Sequence, residues 1–513
     1  MRALTVVAPY SPGYFLERVL PSLAELEPIE QILIVTQEPV QFEAHKVHVL
    51  TAAAFPSHET LHLLLDRIRT EYLLFLTSSR HISIKPQDLE NVLGAAESTK
   101  AGLVYSDFWE ESGAGKTIHP LNDYQQGSVR DDFDFGTMML FSVPAIRRAM
   151  EKDGLTPGVR FAGLYDLRLK VSIDHPVFHV HQPLYCVVAA DASSLTAGAI
   201  HAVPAGRQES PLQEKIFAYV DPRNVAAQKE METVFTDYLR RIGAYVAPHR
   251  LREMERTPEP FPAEASVVIP VRNRRETVAE AVKSALSQET DFPFNVIVVD
   301  NHSADGTTAV LSDLARQHPR LRHIIPVRTD LGIGGCWNEA LGNNICGRYA
   351  VQLDSDDLYS SSFSLQKLVD LLRKGNYAMG IGSYTLVNQI LEEIHPGVID
   401  HREWTEDNGH NNALRINGLG APRAFDTGLM RKIGFQNVSY GEDYAAALRI
   451  CREYRIGRIY DSLYLCRRWP GNTDAGLGIE EANRNDAFKD KIRTDEIAAR
   501  QKMNKAQSLK VEG

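Results

Sequence analysis

From residue 266 onward the chain alternates two kinds of apolar pattern with great regularity. "SVVIPV" reads as a buried strand and "ETVAEAVKSALSQ" carries apolar residues at helical spacing. "NVIVVD" is a strand, "TTAVLSDLARQ" a helix and "LRHIIPV" a strand. A glycine-rich turn, a helix near "CWNEAL" and the strand "RYAVQLD" follow. This alternation predicts an α/β fold, a mostly parallel Rossmann-like sheet with helices on both faces. Ligands of such sheets sit at the carboxyl ends of the strands, and Asp300 and Asp354 fall at two of those ends.

The first half follows the same script, with "LTVVAPY", "YFLERVLPSLAEL", "QILIVTQ", "SHETLHLLLDRIR" and "EYLLFLT" in turn. "LLFLTSSRHI" (73–82) and "AVQLDSDDLY" (350–359) are each preceded by a tyrosine, Tyr72 or Tyr349, and each runs apolar to a leucine, Leu76 or Leu353. "GLYDLRLKV" (163–171) aligns with "EDYAAALRI" (442–450), and "PLYCVV" with "SLYLCRR". The offset is 277 at Thr77/Asp354 and 279 at Tyr185/Tyr464. So steady an offset implies duplication of a whole domain. The predicted organisation is a first domain over 1–240, a polar, proline-rich linker over 241–263, a second domain over 264–478, and a charged helical tail over 479–513 that is solvated or docked.

Composition narrows the function. With 43% apolar residues, 24% charged and a formal net charge of −10, the acidic balance argues against nonspecific nucleic-acid binding, whose phosphate contacts need a basic face. A nucleotide ligand needs only a local site. No apolar run approaches the roughly 20 residues of a membrane span, and the N-terminus reads as a strand rather than a leader. Five scattered cysteines without a CxxC fit reduced thiols of a cytoplasmic protein and argue against a zinc site. The 17 histidines form no metal-like cluster, and "FHVHQ" (178–182) has strand spacing and reads as structural.

Three stretches carry candidate chemistry. "LDSDD" (353–357) crowds carboxylates at a strand end, which is unfavourable unless a positive partner neutralises them; hard oxygen donors suit Mg²⁺ or Mn²⁺. A loop of turn-forming Asp and Ser is the plainer reading. In "VVDNHSADGT", Asp300 could accept from a base N–H or a ribose hydroxyl, whereas Asp305-Gly306 is ordinary turn chemistry. In "SYGEDYAAALRI", Glu442 and Asp443 open an amphipathic helix. Acids favour that position through the dipole, and one there is also a candidate base for a hydroxyl.

Taken in order, "VVIPVRNR", "VIVVDNHSADGT", "LDSDD", "GEDYAAALRI" and "LCRRWPGN" resemble family 2 of the glycosyltransferases, with its GT-A fold, over about 266–470. The resemblance implies two tandem GT-A-like domains plus the tail, and a metal-dependent inverting transfer from a nucleotide sugar, a UDP-sugar ahead of a GDP-sugar. The acceptor would be a hydroxyl of a glycan, a lipid-linked or another molecule. The donor site would comprise Pro270, Arg272, Asn273, Asp300, Asp354 and Ser355. Asp356, with Asp354, would ligate Mn²⁺ or Mg²⁺. Asp443 would be the catalytic base and Glu442 would orient the acceptor. Two departures stand out: Arg272 replaces a frequent tyrosine, and Trp469, behind Arg467 and Arg468, stands where many members carry a metal-binding histidine. A non-catalytic sugar-nucleotide-binding or scaffold protein is the alternative.

In the first half the matching positions are Gln37, Thr77, Ser79 and Gly163-Leu164, and Arg80 adds positive charge. The expectation is an erased copy that binds acceptor, forms a homodimer or braces its neighbour.

Overall fold

The computed structural model describes residues 3–11, 15–40, 44–52, 54–77, 82–113, 115–188, 224–256, 259–472 and 477–511. They fall into two compact units, one up to residue 244 with 478–497, the other 245–477 with the end of the C-terminal helix. Among the described residues no helix is long and apolar enough to cross a membrane. Ser79 and Arg80 lie outside the described residues.

The first unit contains β1 (Leu4–Pro9), β2 (Ile29–Thr36), β3 (Val47–Thr51), β4 (Tyr72–Leu76), β5 (Ile82–Ser83), β6 (Leu103–Ser106), β7 (Phe108–Ser112), β8 (Gly115–His119), β9 (Met138–Ser142), β10 (Val177–Val180) and β11 (Cys186–Val188). They form one sheet in the order β10-β6-β9-β4-β1-β2-β3 and another in the order β5-β11-β7-β8. β4 is buried throughout and β1 nearly so, as near-continuous apolar runs in a sheet covered on both faces should be. The helix His58–Arg67 starts where the Ser57 side chain accepts the Thr60 N–H, and it buries Leu61, Leu64 and Leu65. "YFLERVLPSLAEL" is not one α-helix. A π-turn over Phe15–Val19 runs into the short helix Leu20–Ala24, because Pro21 has no N–H to donate to the preceding turn.

The start of the C-terminal helix, Ile479–Val511, is docked in this unit. Asp490 is fully buried and accepts from the Ser128 hydroxyl at 2.9 Å and from Arg493 at 2.8 Å. The histidine reading needs correction here. Asp123, His179 and His181 bring their ligand atoms within 4.8 Å of one another. The spacing of "FHVHQ" hid this because Asp123 lies 56 residues before His179.

The second unit contains β12 (Ala265–Val271), β13 (Phe294–Asp300), β14 (Leu321–Ile324), β15 (Tyr349–Gln352), β16 (Leu358–Tyr359), β17 (Met379–Val387), β18 (Glu393–Ile399), β19 (Arg423–Asp426) and β20 (Ile456–Arg467). The order is β14-β13-β12-β15-β19-β17-β20-β16, with β18 on β17. Segment 245–256 is held on this unit: the Val246 N–H donates to Asn411 Oδ1, and Arg252 forms a bridge with Tyr454. The last turns of the C-terminal helix add Arg500, fully buried, which donates to the His410 carbonyl.

The two units share one topology. Reading β3-β2-β1-β4-β9-β6-β10 against β14-β13-β12-β15-β19-β17-β20, every neighbouring pair has the same direction, including the antiparallel fifth strand. Register follows: Leu4 faces Tyr72 as Ala265 faces Tyr349, and Leu103 faces Phe141 as Met379 faces Phe425. Ser142 and Asp426, equivalent in register, both cap the next helix with their side chains. β17 and β20 run unbroken, whereas their counterparts are split into β6/β7 and β10/β11. One sheet in the second unit is therefore two in the first.

Candidate active site

β12, β13 and β15 lie side by side, so their carboxyl ends bring three loops together. Asp300, last in β13, is fully buried. It accepts from the Ser303 N–H at 3.0 Å, the Thr308 hydroxyl at 2.6 Å and His323 Nε2 at 3.3 Å. Burial alone would raise its pKa, but these three donors outweigh it and hold the carboxyl well below the usual range. From the next loop Pro270 lies half-buried within β12, while Arg272 and Asn273 are exposed. Asn273, at φ 54°, ties the two loops together: its N–H meets Ser303 Oγ and its Oδ1 accepts the Ala304 N–H.

β15 ends at Gln352 and delivers Asp354, Ser355, Asp356 and Asp357 into one turn. Ser355 is buried, its carbonyl accepting from Thr277. The Asp354 N–H donates to the Tyr464 hydroxyl, and its carboxylate takes the Gln352 amide at 3.0 and 3.1 Å. Asp357 accepts the Arg467 N–H. Burial, then repulsion by neighbouring carboxylates, raises the pKa of both Asp354 and Asp357. Asp356 Oδ2 accepts from Trp469 Nε1 at 3.1 Å and Asn472 Nδ2 at 3.3 Å, with Arg274 Nε at 3.7 Å. An indole N–H only donates, so Trp469 positions Asp356 rather than serving as a metal ligand. Arg467 is turned toward Glu280 at 2.7 Å.

Glu442 and Asp443 open the helix Glu442–Glu453 behind Gly441 in a left-handed conformation. Asp443 pairs with Arg423 at 2.7 Å. Arg423 NH1 also donates to Gln352 Oε1 at 2.9 Å. A continuous chain therefore runs Asp354–Gln352–Arg423–Asp443 and ties the two acidic groups together. Glu442 is buried, its Oε2 has no hydrogen-bond partner among the described residues, and burial together with Asp443 pushes its pKa up to about 8.

The sequence pattern did not reveal Gln352, Arg423, Arg274 or Asn472. Arg274 and Asn472 do lie within "VVIPVRNR" and "LCRRWPGN", but each reaches Asp356 from far along the chain, as Arg423 reaches Gln352, and a single sequence carries no signal for such contacts.

Residues 266–437 match Glycosyl transferase family 2. This segment is a family 2 glycosyltransferase domain. The match stops short of Glu442 and Asp443. An uncharacterized glycosyltransferase of Rickettsia conorii is 26% identical over 200 residues, 38% of this chain and 31% of the relative. The succinoglycan biosynthesis protein ExoO of Rhizobium meliloti is 37% identical over 94 residues, 18% of this chain and 26% of the relative. These matches thus span about a third or less of the curated relatives' length. Among solved structures, Staphylococcus aureus TarS 1–349 in complex with UDP-GlcNAc is 21% identical, over 42% of this chain and 61% of that one, with a TM-score of 0.35.

Proposed function

We propose that the glycosyltransferase domain, taken as residues 264–478, moves a sugar from a nucleotide-sugar donor to an acceptor hydroxyl with inversion, assisted by Mn²⁺ or Mg²⁺. The supporting observation is the linked pair of acidic groups, one at the end of β15 and one opening the helix Glu442–Glu453. The donor set at 354–357 fits a hard divalent cation: it is all oxygen, and burial with mutual repulsion disfavours the charged forms of Asp354 and Asp357, an electrostatic cost that a cation would relieve. Asp356 and Asp354 would hold the ion, which supplies charge neutralisation for the departing diphosphate. Pro270, Arg272, Asn273, Asp300 and Ser355 line the proposed donor end. Arg272 offers a planar cation to a base. Of the three contacts to Asp300, that from His323 is the longest, so a base N–H would replace it first. Arg274, beside Asp356, offers a charge-assisted donor to phosphate.

At the other end Asp443 takes the acceptor proton. Glu442, protonated at neutral pH, donates a hydrogen bond to the acceptor and orients it. Arg423 fixes the Asp443 carboxylate and, through Gln352, its position relative to Asp354. Binding of UDP or GDP should rise with Mn²⁺ in the intact chain, and Asp356→Asn should abolish that rise. Equal nucleotide affinity in both proteins, with and without metal, would sink the reading.

A further inference from the structure

We infer that the first unit carries a second, unrelated metal site, in which Asp123, His179 and His181 hold one transition-metal ion of the zinc class. His179 Nδ1 lies 3.0 Å from Asp123 Oδ1, and His181 Nε2 lies 3.2 Å from the same oxygen. Ligand atoms around a tetrahedral zinc with bonds of about 2.0–2.1 Å sit roughly 3.3–3.4 Å apart, so small shifts would seat the ion. Two imidazoles and a carboxylate suit zinc, whereas the all-oxygen loop of the second unit suits Mg²⁺ or Mn²⁺.

The surroundings hold the ligands in place. The far nitrogen of His179, Nε2, meets Asp107 Oδ1 at 2.9 Å, the carboxylate–histidine arrangement that orients a metal-binding ring. That same Asp107 oxygen accepts the Leu121 N–H at 2.8 Å, two residues from Asp123. Tyr105 stacks on His179, with ring centroids 4.8 Å apart and planes 9° apart, and its hydroxyl donates to the Asn122 carbonyl. Asp107 and Tyr105 thus each grip both the ring and the loop that presents Asp123. The His179 side chain is 2% exposed, while Asp123 and His181 are 65% and 69% exposed, so an ion has a path in from solvent.

A bound ion would take the Nδ1 lone pair of His179, with Nε2–H kept on Asp107. The ion would staple the loop after β8 to β10, the edge strand of the seven-stranded sheet.

The test uses the full untagged chain carrying Asp356→Asn, which weakens the other acidic loop as a competitor. Equilibrium dialysis against ZnCl₂ followed by elemental analysis should find one zinc per chain. His181→Ala and Asp123→Asn, both at exposed positions, should lose it. Asp107→Asn should weaken it about 10–100-fold. Equal zinc in the parent and His181→Ala, or none in either, overturns the inference.

Discussion

Glu442 and Asp443 are adjacent in sequence yet sit in different electrostatic surroundings. Asp443 has a guanidinium at 2.7 Å, whereas Glu442 has a buried oxygen with no partner among the described residues and a pKa near 8. A carboxyl that keeps its proton at neutral pH donates rather than accepts, so in the proposed reaction Asp443 is the base. Asp443→Asn should therefore lower turnover roughly 10²–10⁴-fold with little change in nucleotide affinity. Glu442→Gln imitates the protonated acid and should retain far more activity; the reverse ranking would exchange the roles. Stability offers an independent check. The folded pKa of Glu442 lies above its ordinary 4.5, so the folded state binds the extra proton between about 4.5 and about 8. Stability from this group is intact below 4.5 and is lost as pH rises through about 8. Thermal melts of Glu442→Gln across that window should be flatter than those of the parent, and parallel curves would count against the shift.

At the scale of elements, the helix Ile333–Gly342 explains the glycines that precede "CWNEAL". A Cβ on Gly334 would sit 1.8 Å from the Gln436 carbonyl and 3.0 Å from Glu442 Cβ. The glycine lets the helix close on the segment that presents Glu442 and Asp443. Gly334→Ala should cost about 1–3 kcal/mol by overpacking and displace Glu442. Gly342→Ala, in the same helix, meets nothing within 4 Å and should stabilise by roughly 0.4–1 kcal/mol. Urea midpoints that moved together would contradict this. The contrast also marks what the sequence could carry. The strand ending in Asp300 and the strand leading into Asp354 were legible because apolar runs and the acids that follow them are contiguous in the chain, and so was the pair 442–443. The Gln352–Arg423 link was not, since it joins β15 to its neighbour β19, and helical periodicity says nothing about strand order. Trp469, at the place of a frequent metal-binding histidine, has its role defined only by the indole N–H it gives to Asp356.

At the scale of the whole molecule, one topology occurs twice with different fates at the strand ends. In the first unit the helix Gly163–Asp174 stands where Glu442–Glu453 stands in the second. A Cβ on Gly163 would lie 2.0 Å from the Pro56 carbonyl, so no acidic side chain fits there. The N–H groups leading into that helix, from Arg160, Phe161 and Ala162, are all taken by one carboxylate oxygen of Glu230. The position of an acid at the helix start is thus supplied from outside and spent on the backbone. Thr77, in the place of Asp354, turns its hydroxyl to the Gly136 carbonyl. These substitutions satisfy the backbone but leave no carboxylate at those positions for a donor-bound cation. If the first unit is a silent copy, calorimetric titration of the intact chain with UDP or GDP and Mn²⁺ should give one nucleotide per chain, bound more weakly in Asp356→Asn. A second equivalent would mean that the first unit binds nucleotide through groups other than those its neighbour uses.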